Sequence, residues 1–124
     1  MKITIVTPNF NYGETLGATI SSVLEAGASD LEYIVLDGGS SDSSVEVIRS
    51  FEERLSFWDS HPDEGPYAAI NEGFLRSKGQ VMGWVNSDDL YLPWTLRVVE
   101  EIFEAFPSIE WLMGLPGVFQ NPHS

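Results

Sequence analysis

Three short apolar runs, each breaking off at a polar loop, constrain this chain more than any other feature. "ITIVT" (Ile3 to Thr7) stops at Pro8, "YIVLD" (Tyr33 to Asp37) runs into "GGSSD", and "VMGWVN" (Val81 to Asn86) runs into the acid pair Asp88 and Asp89. Runs of this kind are too short for helices and too continuous for half-exposed strands, so they read as buried parallel strands. "LSFW" (Leu55 to Trp58) and "WLMG" (Trp111 to Gly114) are weaker strand candidates. Between the runs, apolar residues recur at helical spacing: Leu16, Ile20, Val23 and Leu24; then Val45, Ile48 and Phe51; later Leu96, Val99, Phe103 and Phe106. Ser43 and Glu46 fit a capping box, and Pro66 suits the first position of a helix through "YAAINEGFLRS". The order is βαβαβαβαβ. Parallel strands need right-handed crossovers that cover the sheet, so the expected fold is a three-layer α/β sandwich with a mostly parallel sheet and helices on both faces.

A chain of 124 residues has room for one domain, taken as residues 1–124, and its 43% apolar content supports a packed core. With no cysteine there is no disulfide framework, thiolate metal site or Cys nucleophile, so a metal would have to sit on oxygen or imidazole. A net charge of −13 opposes nucleic-acid backbones and anionic membrane surfaces as partners. The opening "MKITIVTPNF" has too short an apolar run for a signal peptide, and no stretch approaches transmembrane length; the expected location is cytoplasmic.

In open α/β sheets, ligands bind beyond the carboxyl ends of the strands. There the chain reads "TPNFNY", "DGGSSD", "DSHPDEG" and "NSDDLY". Two adjacent carboxylates near a buried strand end call for compensation, and a divalent ion such as Mn²⁺ or Mg²⁺ supplies it while bridging to substrate phosphates. The alternative is that Asp88 caps the next helix and Asp89 is solvated. Asp37 could accept from a ribose hydroxyl or a base N–H, or simply shape the turn. Neither a G-x-G-x-x-G fingerprint nor a P-loop is present. Arg49, Arg54, Arg76, Lys78 and Arg97 fall on or beside helices rather than at strand ends, which favours a metal over an arginine clamp for phosphate. His61, the one imidazole near a candidate loop, reads as a surface residue.

Taken together, "TPNFN", "LDGGSSDSS", "DEGPYAAINEGF" and "GWVNSDD" resemble the nucleotide-binding half of the family-2 inverting glycosyltransferases, in order from Thr7 to Asp89. The resemblance implies a Rossmann-like glycosyltransferase A fold and a nucleotide diphosphate-sugar donor. It implies transfer to a carbohydrate or glycolipid acceptor, as in polysaccharide or glycoconjugate synthesis. It places Thr7, Pro8, Asn9, Asn11 and Tyr12 along the nucleotide pocket, Asp37 at the base, Asp63 and Asn71 at the pocket floor, Ser87 and Asp88 at the nucleotide, and Asp88 with Asp89 at the metal. Asn86 stands where many members carry Asp, and Ala68 and Glu72 stand where Asp and Lys are common.

Such enzymes usually run on to an acceptor site and a catalytic carboxylate, so the resemblance also implies truncation at the C-terminus and, in a longer protein, a place at the cytoplasmic face of a membrane. No general base is identified, and Glu110 falls at the wrong end of its strand. The competing reading is a catalytically silent nucleotide-diphosphate-binding or interaction domain. A phosphoryl-transfer domain with a nucleophilic Asp would place its acid after the first strand, where this chain has Pro8 and Asn9.

Overall fold

The computed structural model describes residues 1–112. Strands β1 (Lys2–Asn9), β2 (Asp30–Asp37), β3 (Phe57–Ser60) and β4 (Val81–Trp84) alternate with helices α1 (Gly13–Leu24), α2 (Ser44–Ser50) and α3 (Pro66–Arg76), and α4 (Thr95–Ala105) follows. The four strands form one sheet in the order β3-β2-β1-β4, with every pair parallel. Winding proceeds from β1 outward through β2 to β3, then returns past β1 to β4. The order therefore reverses between β1 and β4.

The alternation of side chains along each strand divides the core into two layers. Ile3, Ile5, Tyr33 and Val35 pack against Leu16, Ile20 and Val23 of α1, Ile48 of α2 and Leu96 of α4. On the other face Val6, Ile34 and Leu36 meet Ala69 of α3, with Phe57 and Phe74 alongside. Each such aliphatic side chain, once buried, contributes about 1.5–3 kcal/mol. The α3 layer depends on Gly73, because a Cβ there would stand 2.6 Å from Cγ2 of Val6. That clearance lets the helix backbone lie on the sheet.

The expected parallel, adjacent strands near Ile3, Tyr33 and Val81 are present, and Pro66 opens α3 as expected. Several details differ. β3 begins at Phe57 rather than Leu55, because a 3₁₀ turn (Glu52–Arg54) ends with Leu55 N–H donating to the Glu52 carbonyl at 3.2 Å. β4 ends at Trp84 rather than Asn86, although Val85 N–H still donates to the Val6 carbonyl at 3.0 Å. The Ser43–Glu46 capping box does not form: Asp42 instead accepts from the Ser44 amide and hydroxyl. Val47, not Val45, joins Ile48 and Phe51 on the core. Phe106 follows α4 and is 58% exposed, outside the stripe it was expected to complete. In the fifth strand candidate, Trp111 and Leu112 form no regular element, and the rest lies outside the described residues.

Candidate functional site

The register that pairs β1 with β2 residue by residue ends with Asn9 beside Asp37. Both side chains are buried, and together they organise the loops leaving the two strands. One Asp37 oxygen, Oδ1, accepts from Asn9 Nδ2 at 2.8 Å and from the Ser40 hydroxyl at 2.6 Å. The other, Oδ2, accepts from the amides of Gly39 and Ser40 at 3.1 and 2.8 Å and from the Ser60 hydroxyl at 2.7 Å. Burial alone would raise this carboxyl's pKa. The donors from Ser40, Asn9 and Ser60 outweigh burial and hold it below the usual carboxylate range. Gly39 adopts φ +86°, a conformation other residues rarely take, which lets the loop fold back onto the carboxylate.

Asn11, with φ 57°, locks the neighbouring loops together. Its amide donates to the Ser40 hydroxyl at 2.9 Å, and its side-chain oxygen accepts from the Ser41 amide at 2.9 Å. Asp42 reaches across to the Gly13 amide at 2.9 Å, joining the start of α1 to the start of α2.

On the other side of β1 the acid pair sits in a tight turn, closed by Asp89 N–H donating to the Asn86 carbonyl at 3.1 Å. Asp88 does not cap a helix, since α4 begins only at Thr95. Three side chains of α1 hold this turn. The Thr15 hydroxyl donates to the Ser87 carbonyl at 2.9 Å, the Thr19 hydroxyl donates to the Asp89 carbonyl at 2.7 Å, and the Ser22 hydroxyl accepts from the Tyr91 amide at 3.0 Å. Thr15, Thr19 and Ser22 lie on one helix face because residues four and three apart share a face. The carboxylates of Asp88 and Asp89 are left exposed, held by their backbone alone.

Between the two loop systems lies a cleft of about 550 Å³, walled by Pro8, Asn9, Phe10, Tyr12, Gly38, Asp63, Glu64, Gly65, Pro66, Asn86, Ser87 and Asp88. It opens at the carboxyl ends of the strands, beside the β1/β4 reversal. Of the residues expected from the sequence, Pro8, Asn9, Tyr12, Asp63, Ser87 and Asp88 meet here. Thr7 is buried behind the wall, sharing a 2.7 Å hydrogen bond with the Tyr33 hydroxyl, whose pKa burial pushes up. Asp37 stands behind Asn9. Asn11 lines a neighbouring depression with Glu14 and Asp42, and Asn71 is exposed on α3 outside the cleft. Asp89 is in the acid turn but not on the cleft wall.

Phe10, within the expected run from Thr7 to Tyr12, and Asn86, beside the acid pair, also line the wall, whereas Glu64, Gly65 and Pro66 are wall residues that the sequence did not single out for the site. The hydroxyl face of α1 was also missed, although a Thr-Thr-Ser series beside the apolar stripe was its signal. His61 bridges β3 and α3, with Nδ1 3.1 Å from Asp59 and Nε2 3.6 Å from Glu72.

Among the described residues neither lysine nor arginine lines the cleft. Arg49 and Arg76 instead stack over Trp58 and Phe57, at 5.9 and 4.0 Å. Among the described residues no three acidic or imidazole groups converge as a ready metal cage. The donor set of the acid turn still fits an ion that takes one or two protein carboxylates and completes its shell with phosphate oxygens and water.

An all-parallel sheet wound both ways from β1, with a cleft at the point of reversal, defines a Rossmann-like domain. The family model for glycosyl transferase family 2 matches residues 4–112, and the chain belongs to that family. An uncharacterized glycosyltransferase of Nostoc sp. is 33% identical over 113 residues, covering 84% of this chain and 33% of the relative. The chain spans about a third of the length of the curated relatives it matches. Staphylococcus aureus TarS 1-349, in complex with UDP-GlcNAc, superposes with a TM-score of 0.80 at 17% identity, covering 98% of this chain and 39% of that one. A mannosyltransferase of Pyrobaculum calidifontis, in complex with GDP-Man and Mn²⁺, gives a TM-score of 0.64 at 20% identity, covering 71% of this chain and 28% of that one. The fold is that of the glycosyltransferase A class.

Proposed function

We propose that this chain is the donor-binding part of an inverting, metal-dependent glycosyltransferase, which moves a hexose-type sugar from a nucleotide diphosphate to a hydroxyl of a carbohydrate or glycolipid acceptor. The observation that carries the reading is the acid turn at the mouth of a cleft lined, among the described residues, by neither lysine nor arginine, inside a chain of −13 net charge. A diphosphate entering it meets like charge unless a divalent ion intervenes. Asp88, on the cleft wall, and Asp89 beside it would hold Mn²⁺ or Mg²⁺ there. Bound between protein and diphosphate, the ion would neutralise charge developing on the leaving group.

In this reading the nucleoside lies against Pro8, Asn9, Tyr12, Asp63 and Ser87, while Thr7, Asn11 and Asp37 support the pocket and Asn71, exposed outside the cleft, takes no part. Both the UDP-sugar of the TarS complex and the GDP-Man and Mn²⁺ of the mannosyltransferase complex are consistent with this donor class. Among the described residues no helix is long and apolar enough to cross a membrane, and the proposed setting is the cytoplasm or the cytoplasmic face of a membrane.

Calorimetric titration with UDP, GDP and their sugars, with Mn²⁺ and then with chelator, tests the proposal. Mn²⁺ is expected to tighten binding at least tenfold. Equal affinity in chelator removes the metal, and no binding of any nucleotide removes the function. Labelled donor and an acceptor panel are expected to show binding by the 124-residue chain with negligible transfer.

A further inference from the structure

The sheet ends in two unlike edges. At the β3 edge the strand carries Asp59, Arg76 lies over the Phe57 ring at 4.0 Å and Arg49 over the Trp58 ring at 5.9 Å, so charge guards that side. At the opposite edge β4 pairs only with β1 among the described residues. From Gly79 to Ser87, β4 and its flanks hold neither a charged residue nor a proline, in a chain of −13 net charge. Folded proteins blunt open strand edges with such residues, because a row of unpaired N–H and C=O groups templates the addition of another strand.

One face of β4 is also uncovered. Val81 and Val85 join the core beside α1 and α4. Met82 and Trp84 alternate with them onto the other face and remain 51% and 49% exposed, with Phe74 of α3 edge-on to the Trp84 ring at 6.3 Å.

The residues of this edge are close to a palindrome about Gly83. Counted outward in both directions, Met82 matches Trp84, Val81 matches Val85, Gln80 matches Asn86, and Lys78 matches the oppositely charged Asp88. We infer that β4 is a docking edge for a second copy of this chain, the two β4 strands pairing antiparallel about a two-fold axis at Gly83. A two-fold contact is self-complementary, so each match occurs twice. Opposed residues of an antiparallel pair share a face, which lays Met82 of one copy against Trp84 of the other and removes both half-exposed side chains from water. Gly83 meets Gly83 with no side chain between the backbones. Beyond the strand ends, Lys78 of one copy is directed toward Asp88 of the other, an attraction between molecules whose net charges repel. Nothing in this pairing depends on what the cleft binds.

Sedimentation velocity of the 124-residue chain, from low to high micromolar concentration, is the test. A reversible monomer–dimer equilibrium is expected, weak because one strand pair buries less than the roughly 1,200–2,000 Å² of stable interfaces. Met82→Lys and Trp84→Lys, both at exposed positions, should each weaken the dimer about tenfold or more by burying a charge at its centre, with circular dichroism unchanged. The chain has no cysteine, so register is read by oxidising an equimolar mixture of Met82→Cys and Trp84→Cys chains. A disulfide should join the unlike chains, and neither variant alone should cross-link comparably.

A monomer at every concentration overturns the proposal, whether the edge stays open or another part of a longer polypeptide covers it. Species larger than a dimer overturn it as well, since an edge that pairs with itself closes at two copies. A dimer indifferent to both lysine substitutions, or cysteine chains that cross-link as well with their own kind, would place the contact elsewhere and overturn it too. If a lysine variant fails to fold, the concentration series and the mixed cysteine chains still decide.

Discussion

Replacing Thr19 by Val preserves side-chain shape and removes one hydroxyl, so it isolates what α1 contributes to the acid turn. Thr19 is fully buried, and its hydroxyl donates to the Asp89 carbonyl at 2.7 Å. Without it, that carbonyl faces a methyl group. An unmade hydrogen bond to a partly buried acceptor costs roughly 1–2 kcal/mol. For a domain of this size that lowers the midpoint of thermal unfolding by roughly 3–8 °C. The effect should be focused on the turn, since Thr15 and Ser22 continue to hold Ser87 and Tyr91. Metal-dependent nucleotide affinity is therefore expected to drop about three- to tenfold, with the metal-free background unchanged. Differential scanning calorimetry and isothermal titration read the two effects separately. A Thr19→Val chain with unaltered melting and unaltered metal enhancement would refute the claim that the α1 hydroxyls position the acids.

Gly73→Ala drives a methyl group into Val6 and should cost about 1–3 kcal/mol, seen as a lower urea midpoint with little change in slope. Asp88→Ala should remove more of the Mn²⁺ effect than Asp89→Ala, because only Asp88 lines the cleft; titration of both variants compares them. The Asp37 carboxyl has a folded-state pKa below its unfolded value of about 3.9, so its contribution is fully present above that pH and is lost as pH falls through the folded value. Asp37→Asn should flatten stability against pH in that acid window and lower neutral stability by about 2 kcal/mol, measured by urea unfolding across pH.

The sheet was legible because β-branched runs ending at polar loops have few other solutions, and the two central pairings followed from the order of the elements. Local detail was less legible. Ser43 and Glu46 spell a capping box, but Asp42 sits one residue earlier and reaches both the Ser44 amide and the Gly13 amide, a choice set by the packing of α1 on α2. Phe106 matched the helical period, yet α4 ends just before it. At the site, Asp37 was recognisable as a strand-end acid, whereas its saturation by five protein donors depends on Asn9 and Ser60, brought to it by strand pairing. The side-chain oxygen of Asn9, buried without a hydrogen-bond partner among the described residues, had no sequence signal. It emerges only once register and ionisation together fix which way the amide points.

The central claim is that a metal–nucleotide complex binds where the acid turn meets the ends of β1 and β2. Paramagnetic broadening of backbone amide signals by Mn²⁺, recorded with UDP present, tests it most directly. The account predicts early loss of the signals of Ser87 to Asp89, followed by Asn9 to Tyr12 and Gly38, while Lys2, Glu32 and Lys78 at the opposite end of the sheet stay sharp. Broadening spread evenly over the acidic surface, or centred on residues remote from Asp88, would contradict it.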